Sequence, residues 1–100
     1  MEIRGSIKNG IITLVLKGRM DMSNAADAEQ AFLKYSEEGS KFVLDFTDVE
    51  FIASAGIRAL LTLYRTVCDR EGGIVTIVNA QPQVLEVLNE TDFAELFNIR

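Results

Sequence analysis

Two short apolar runs, residues 41–46 and 74–78, flank a stretch in which Ile57, Leu60, Leu61, Tyr64, Val67 and Cys68 recur every three or four positions. The runs have the length and continuity of buried strands, and the stretch between them has the period of an amphipathic helix, closed by Gly72-Gly73. Strand, helix, strand in that order implies parallel neighbours joined by a crossover. This one unit restricts the chain to an α/β architecture, and the flanking sequence extends it.

Upstream, residues 2–7 and 11–17 flank Asn9-Gly10, the strongest short signal for a hairpin. Gly18 is expected to end the second strand, with Arg19-Met20-Asp21-Met22 as a loop and Ser23 as the N-cap of a helix carrying Ala25, Ala28, Ala31, Phe32 and Tyr35. Gly39 fits just past that helix. Residues 47–52 read as a connection anchored by Phe51 and Ile52. Downstream, Pro82 suits the first turn of a helix bearing Val84, Leu85 and Leu88. The tail residues Phe93, Leu96, Phe97 and Ile99 are expected to pack back on the domain. The order is β-β-α-β-α-β-α, with room for a last short helix. The expected fold is therefore a single α/β domain over residues 1–100, with a mixed β-sheet of four to five strands packed with about four α-helices. No linker, repeat or low-complexity stretch interrupts it.

Composition then narrows the function. One hundred residues suffice for one core and not two. The absence of histidine excludes Ser-His-Asp and Cys-His catalysis and His-ligated zinc. A single cysteine excludes an internal disulfide or a Cys cluster. Cys68, in step with the helix stripe, reads as a small buried hydrophobe. A net charge of −5 argues against nucleic acid and anionic membrane surfaces as partners. The chain shows no leader-like N-terminus and no apolar run long enough to span a bilayer, so a cytoplasmic protein is expected. The sequon Asn89-Glu90-Thr91 carries no weight in that setting.

The most informative stretch is Phe51-Ile52-Ala53-Ser54-Ala55-Gly56-Ile57-Arg58. It places small residues between a strand and the long helix, with Ser54 at or beside the helix N-cap. One reading makes Ser54 a cap alone, worth about 1 kcal/mol. The other makes it a modification site. A helix N-terminus accommodates an anion, Ala53, Ala55 and Gly56 clear space around the hydroxyl, and Arg58 lies one turn on. A phosphate there adds roughly −1.5 to −2 charges. Asp21, Asp45 and Asp48 are expected at the same strand-end edge, where they would repel it. Ser54 is not an enzyme nucleophile, because Ile52 stands where a nucleophile elbow needs glycine and no histidine is available as base. No phosphate-binding loop with an appended lysine is present. A small-molecule or nucleotide site has no support beyond that helix N-terminus.

With those residues in view, the chain resembles a STAS domain of the anti-sigma factor antagonist type. Three pieces carry the resemblance: Gly18-Arg19-Met20-Asp21, Val43-Leu44-Asp45-Phe46 with Val49, and the stretch from Phe51 to Arg58. Ala53 departs from the acidic residue that many members hold before their serine. The resemblance implies a regulated partner rather than an enzyme, with no cofactor and no metal. Unphosphorylated, such a domain binds an anti-sigma factor that is also a serine kinase; phosphorylated, it lets go, and a serine phosphatase resets it. On this resemblance Ser54 is the phosphorylation site, and Asp21, Asp45, Ser54, Gly56 and Arg58 are the partner-binding residues of a monomer. The alternative role for the same fold is an accessory subunit in a transport or stress-sensing complex.

Overall fold

The hairpin forms where the turn chemistry places it. In a computed structural model describing all 100 residues, Asn9 (φ 53°) and Gly10 (φ 78°) both adopt the left-handed conformation that a tight two-residue turn demands. They join β1 (Glu2–Lys8) to β2 (Ile11–Met20), with Lys8 opposite Ile11. From β2 onward every pairing is parallel, through β3 (Lys41–Ile52), β4 (Ile74–Val78) and β5 (Asn98–Ile99). The sheet has five strands in the order β1-β2-β3-β4-β5. The crossovers are α1 (Ala25–Tyr35), α2 (Ser54–Val67) and α3 (Pro82–Glu90). Each crossover advances one strand in the same direction, so right-handed connections set all three helices on one face of the sheet.

Burial follows that layering. Ile12, Leu14 and Leu16 of β2, Phe42, Leu44 and Phe46 of β3, and Val75 and Ile77 of β4 point at the helices and are closed to solvent. They meet Phe32 from α1, Leu60 and Leu63 from α2, and Val84 and Leu88 from α3 in one continuous core. The intervening residues Ile11, Val15 and Ile74 are exposed on the bare face. The central strands, read from sequence as fully buried, are thus covered on one side only.

Several local expectations are corrected. There are three α-helices, not about four, and the last short helix is a single 3-10 turn over Ala94–Leu96. β2 runs through Gly18 (φ 117°) to Met20, so Arg19 and Met20 belong to the strand and not to a loop. The connection assigned to residues 47–52 is strand as well. β3 carries two bulges opposite β2, and its buried residues change from a spacing of two (Phe42, Leu44, Phe46) to a spacing of three (Val49, Ile52). That change hides the strand from a period-two search. Ile52 is buried, whereas its fellow anchor Phe51 is exposed.

Ser23 does not cap α1. Asn24 occupies the N-cap position, and the Ser23 hydroxyl donates instead to Asp21 Oδ1 at 2.6 Å. In the tail, Phe97 packs edge-on against Tyr64 and is buried, while Phe93 and Leu96 stay exposed. Cys68 is exposed, one residue past the end of α2, with Sγ 3.0 Å from Asp69 Oδ1; that carboxylate pushes its thiol pKa up. Its backbone still follows the helix, with its N–H donating to Tyr64 O at 2.8 Å, but the buried stripe of α2 ends at Val67. Cys68→Ser is therefore expected to change unfolding free energy by less than about 0.5 kcal/mol in a denaturant titration, whereas a buried cysteine would cost more.

Candidate partner-binding site at the start of α2

Ile52 ends β3, Ala53 is the N-cap in extended conformation, and Ser54 is the first residue of α2. Two backbone bonds fix this corner: Ala53 N–H donates to Met20 O at 3.0 Å, and Ile57 N–H donates to Ala53 O at 3.1 Å. Alanine has no side chain with which to cap, and Ser54 lies one position too late to do so. The reading of Ser54 as a cap alone therefore fails. Its side chain is exposed at the end of a helix whose first N–H groups lack intrahelical acceptors. Gly56 makes the corner possible. A Cβ there would lie 2.7 Å from Met20 O and 2.9 Å from Ile52 Cγ1.

Arg58 is exposed one turn beyond Ser54. The two share a shallow depression of about 350 Å3 completed by Ile57, Val87, Glu90 and Phe93. On its other side Arg58 lines a groove of about 640 Å3 along α1 and α2, with Met22, Ala25, Ala55, Arg65 and Phe93. Arg65, Met22 and Phe93 were not among the site residues expected from sequence. The signal for Arg65 was available, since a residue seven past Arg58 returns to the same helix face.

Asp21 follows directly on Met20, whose carbonyl holds the start of α2, so loop and helix end meet at this corner. The Asp21 carboxylate accepts from the Ser23 hydroxyl and the Ser23 N–H (3.0 Å), and Arg19 Nε approaches it at 3.5 Å. The Ser23 hydroxyl, with help from Arg19, holds its pKa below the usual carboxylate range. Asn24 Nδ2 donates to Arg19 O at 2.8 Å, and the Arg19 guanidinium lies over Phe51, 4.4 Å from the ring centroid. The loop is thus a tied Asx-type turn.

Asp45 is elsewhere. It pairs with Val15 and Val78, seven residues before Ile52, which puts it on the order of 20 Å along the strand from the start of α2. Asp48, opposite Lys17, is also upstream of that corner. The expected grouping of Asp21, Asp45 and Asp48 at one edge is corrected for the latter two, because β3 runs on past them. The Asp45 carboxylate accepts from Thr47 Oγ1 at 2.6 Å and Thr47 N at 3.0 Å, and the Thr47 hydroxyl lowers its pKa. A depressed folded pKa gives stability that is present above the unfolded value of about 3.9 and lost as pH falls through the folded one. Asp45→Asn is accordingly expected to cost up to about 1 kcal/mol at pH 7. In urea titrations across pH, that difference should shrink as pH falls below the unfolded value and vanish once the folded carboxylate is protonated.

The family model for the STAS domain matches residues 2–100. The chain is a STAS domain. Among its relatives, BtrV of Bordetella bronchiseptica, named as a candidate anti-sigma factor antagonist, is 26% identical over 92 residues, covering 91% of this chain and 78% of that protein. The crystal structure of an anti-sigma factor antagonist from Mycobacterium paratuberculosis superposes with a TM-score of 0.85 at 23% identity, over 98% of this STAS domain and 83% of that chain. SpoIIAA of Bacillus, solved in its phosphorylated form, superposes with a TM-score of 0.73 at 13% identity, over 99% of this chain and 91% of its own. This STAS domain therefore shares its fold with anti-sigma factor antagonists, and its α2 corner is built from two of the three sequence pieces that first suggested the family, the one ending in Asp21 and the one from Phe51 to Arg58.

Proposed function

We propose that this STAS domain is an anti-sigma factor antagonist controlled by phosphorylation of Ser54. Unmodified, it binds an anti-sigma factor that is also a serine kinase, through Asp21, Ser54, Gly56 and Arg58 at the α2 corner. Phosphate on Ser54 ends the complex, and a serine phosphatase restores it. The observation that carries this reading is Ser54 itself: exposed, first in α2, and not used to cap the helix. A neighbour of the same fold that has been solved in a phosphorylated form supports it. The domain's own role is non-enzymatic, since its chemistry is supplied by the partner's active site. Asp45 is left out of the contact surface, because it lies far along β3.

The physical effect of the modification is local charge. A phosphate would take the net charge from −5 to about −7. The α2 N-terminus and Arg58 would hold it without unfolding the domain, while the added negative charge makes the surface more repulsive to any acidic partner group. The test is phosphate transfer from ATP by the partner kinase: wild type should take up one phosphate and Ser54→Ala none. Equal uptake by the two proteins would overturn the assignment.

A further inference from the structure

Arg58 stands on the ridge between the Ser54 depression and the α1–α2 groove, and it is unpaired. In a chain with 15 acidic residues, the ion pairs are Arg4–Glu2 and Arg19–Asp21 only. Arg65, which lines the same groove, is unpaired too, and α2 contains no acidic residue. Seven helical residues separate the two arginines by roughly 10 Å along the axis. Beside them the groove is apolar and small-floored, with Ala25, Ala55 and the buried Leu61 below, and between them stands Thr62, whose hydroxyl donates to Arg58 O at 3.1 Å. Met22, 83% exposed, and Phe93, 40% exposed, stand at its sides. Glu29, on α1, is the one acid in the lining.

We propose that this groove receives an acidic, apolar segment of the anti-sigma factor and that Arg58 couples the docking to Ser54, a proposal that rests on the function given above. The occupant is defined by charge complementarity: apolar side chains against Met22, Leu61 and Phe93, with carboxylates about two helical turns apart facing Arg58 and Arg65. In the unmodified domain the Arg58 guanidinium serves the incoming segment. A phosphate on Ser54, one turn away, takes that guanidinium by a charge-assisted contact and leaves the segment's carboxylate without a partner. Phosphorylation then acts twice, by adding negative charge and by withdrawing a positive one.

The test is a double-mutant cycle in which phosphoserine is placed at position 54 during translation, so that no kinase is needed. Binding to the anti-sigma factor is measured by calorimetry for wild type, Arg58→Gln, the phosphoserine protein and the combination, with Arg65→Gln alongside. Both arginines are exposed, so unchanged circular dichroism and melting should accompany every variant. Arg58→Gln and Arg65→Gln should each weaken the unmodified complex about tenfold. The phosphate should weaken wild type at least about 100-fold but the Arg58→Gln protein less than about tenfold, the signature of a shared group. Unchanged affinity for Arg65→Gln removes the groove as the docking surface. Strictly additive losses remove the coupling while leaving the phosphorylation switch intact, and failure of the unmodified chain to bind removes both. Capture is also read without any partner: the phosphoserine's second ionisation, followed by phosphorus NMR, should fall by about 0.2–0.7 pH unit relative to the Arg58→Gln protein. Coincident titration curves overturn it.

Discussion

Gly56→Ala is expected to destabilise the domain by about 2 kcal/mol, within the range for overpacking a filled site. Intrinsic propensity points the other way, since alanine gains up to about 1 kcal/mol over glycine within a helix. Packing decides the sign. The new Cβ would meet Met20 O at 2.7 Å and both Ile52 Cγ1 and Met20 Cβ at 2.9 Å. Neither neighbour has room to retreat, because Met20 is 0% and Ile52 2% exposed. The Met20 carbonyl is also the acceptor for Ala53 N–H, so displacing α2 strains the bond that sets the helix entry. For a chain of this size the loss amounts to a drop in melting temperature of roughly 8–16 °C. Denaturant titration would show it as a lower midpoint with an unchanged slope. A variant as stable as wild type, or more stable, would contradict the close packing of α2 on the end of β2. Because the same shift moves Ser54 and Arg58, partner affinity should fall as well.

The second large effect is on binding. Phosphoserine at position 54 should weaken the complex with the anti-sigma factor by at least about 100-fold, equivalent to about 2.7 kcal/mol. Ser54→Asp should weaken it by about tenfold, since a carboxylate is shorter and carries one charge rather than nearly two. Ser54→Ala should bind as wild type does. The reason lies in the setting of Ser54. It is exposed at a corner where a partner surface must come close, and like charges brought together across an interface cost several kcal/mol. Ser54→Asn, matched in size to aspartate but neutral, separates charge from bulk: if it weakens binding as much as Ser54→Asp, the switch works by shape and the electrostatic account fails.

How far these features could be read from sequence depends on whether their causes are local. The hairpin was legible because Asn9-Gly10 dictates its own backbone conformation. The body of α2 was legible because seven of its residues are buried at helical spacing. Pro82 marked the first turn of α3 for the same local reason. The length of β3 was not legible. Its bulges break the alternation, and the polar residues Thr47, Asp48 and Glu50 read as loop. That single misreading put Asp45 and Asp48 at the same edge as Asp21. β5 is held by pairing to Thr76 and Ile77 across the chain, which two residues of sequence cannot announce. Ser23 was misassigned because Asp21 recruits its hydroxyl into a turn before α1 begins. Of the candidate site, Ser54, Gly56 and Arg58 were visible as one short stretch, and Asp21 as a loop residue ahead of α1. Arg65, Met22 and Phe93 join them only when α1, α2 and the segment after α3 come together.

Control of the complex by phosphate on Ser54 can be tested in one tube. The domain is mixed with its anti-sigma factor kinase, the complex is isolated, ATP is added, and peptide mass analysis is run beside size-exclusion chromatography. A single phosphate, located on Ser54, is expected, with dissociation that tracks its appearance and a Ser54→Ala complex that remains intact throughout. A phosphate on any other residue, or a Ser54-phosphorylated domain that still elutes with the kinase, would contradict it.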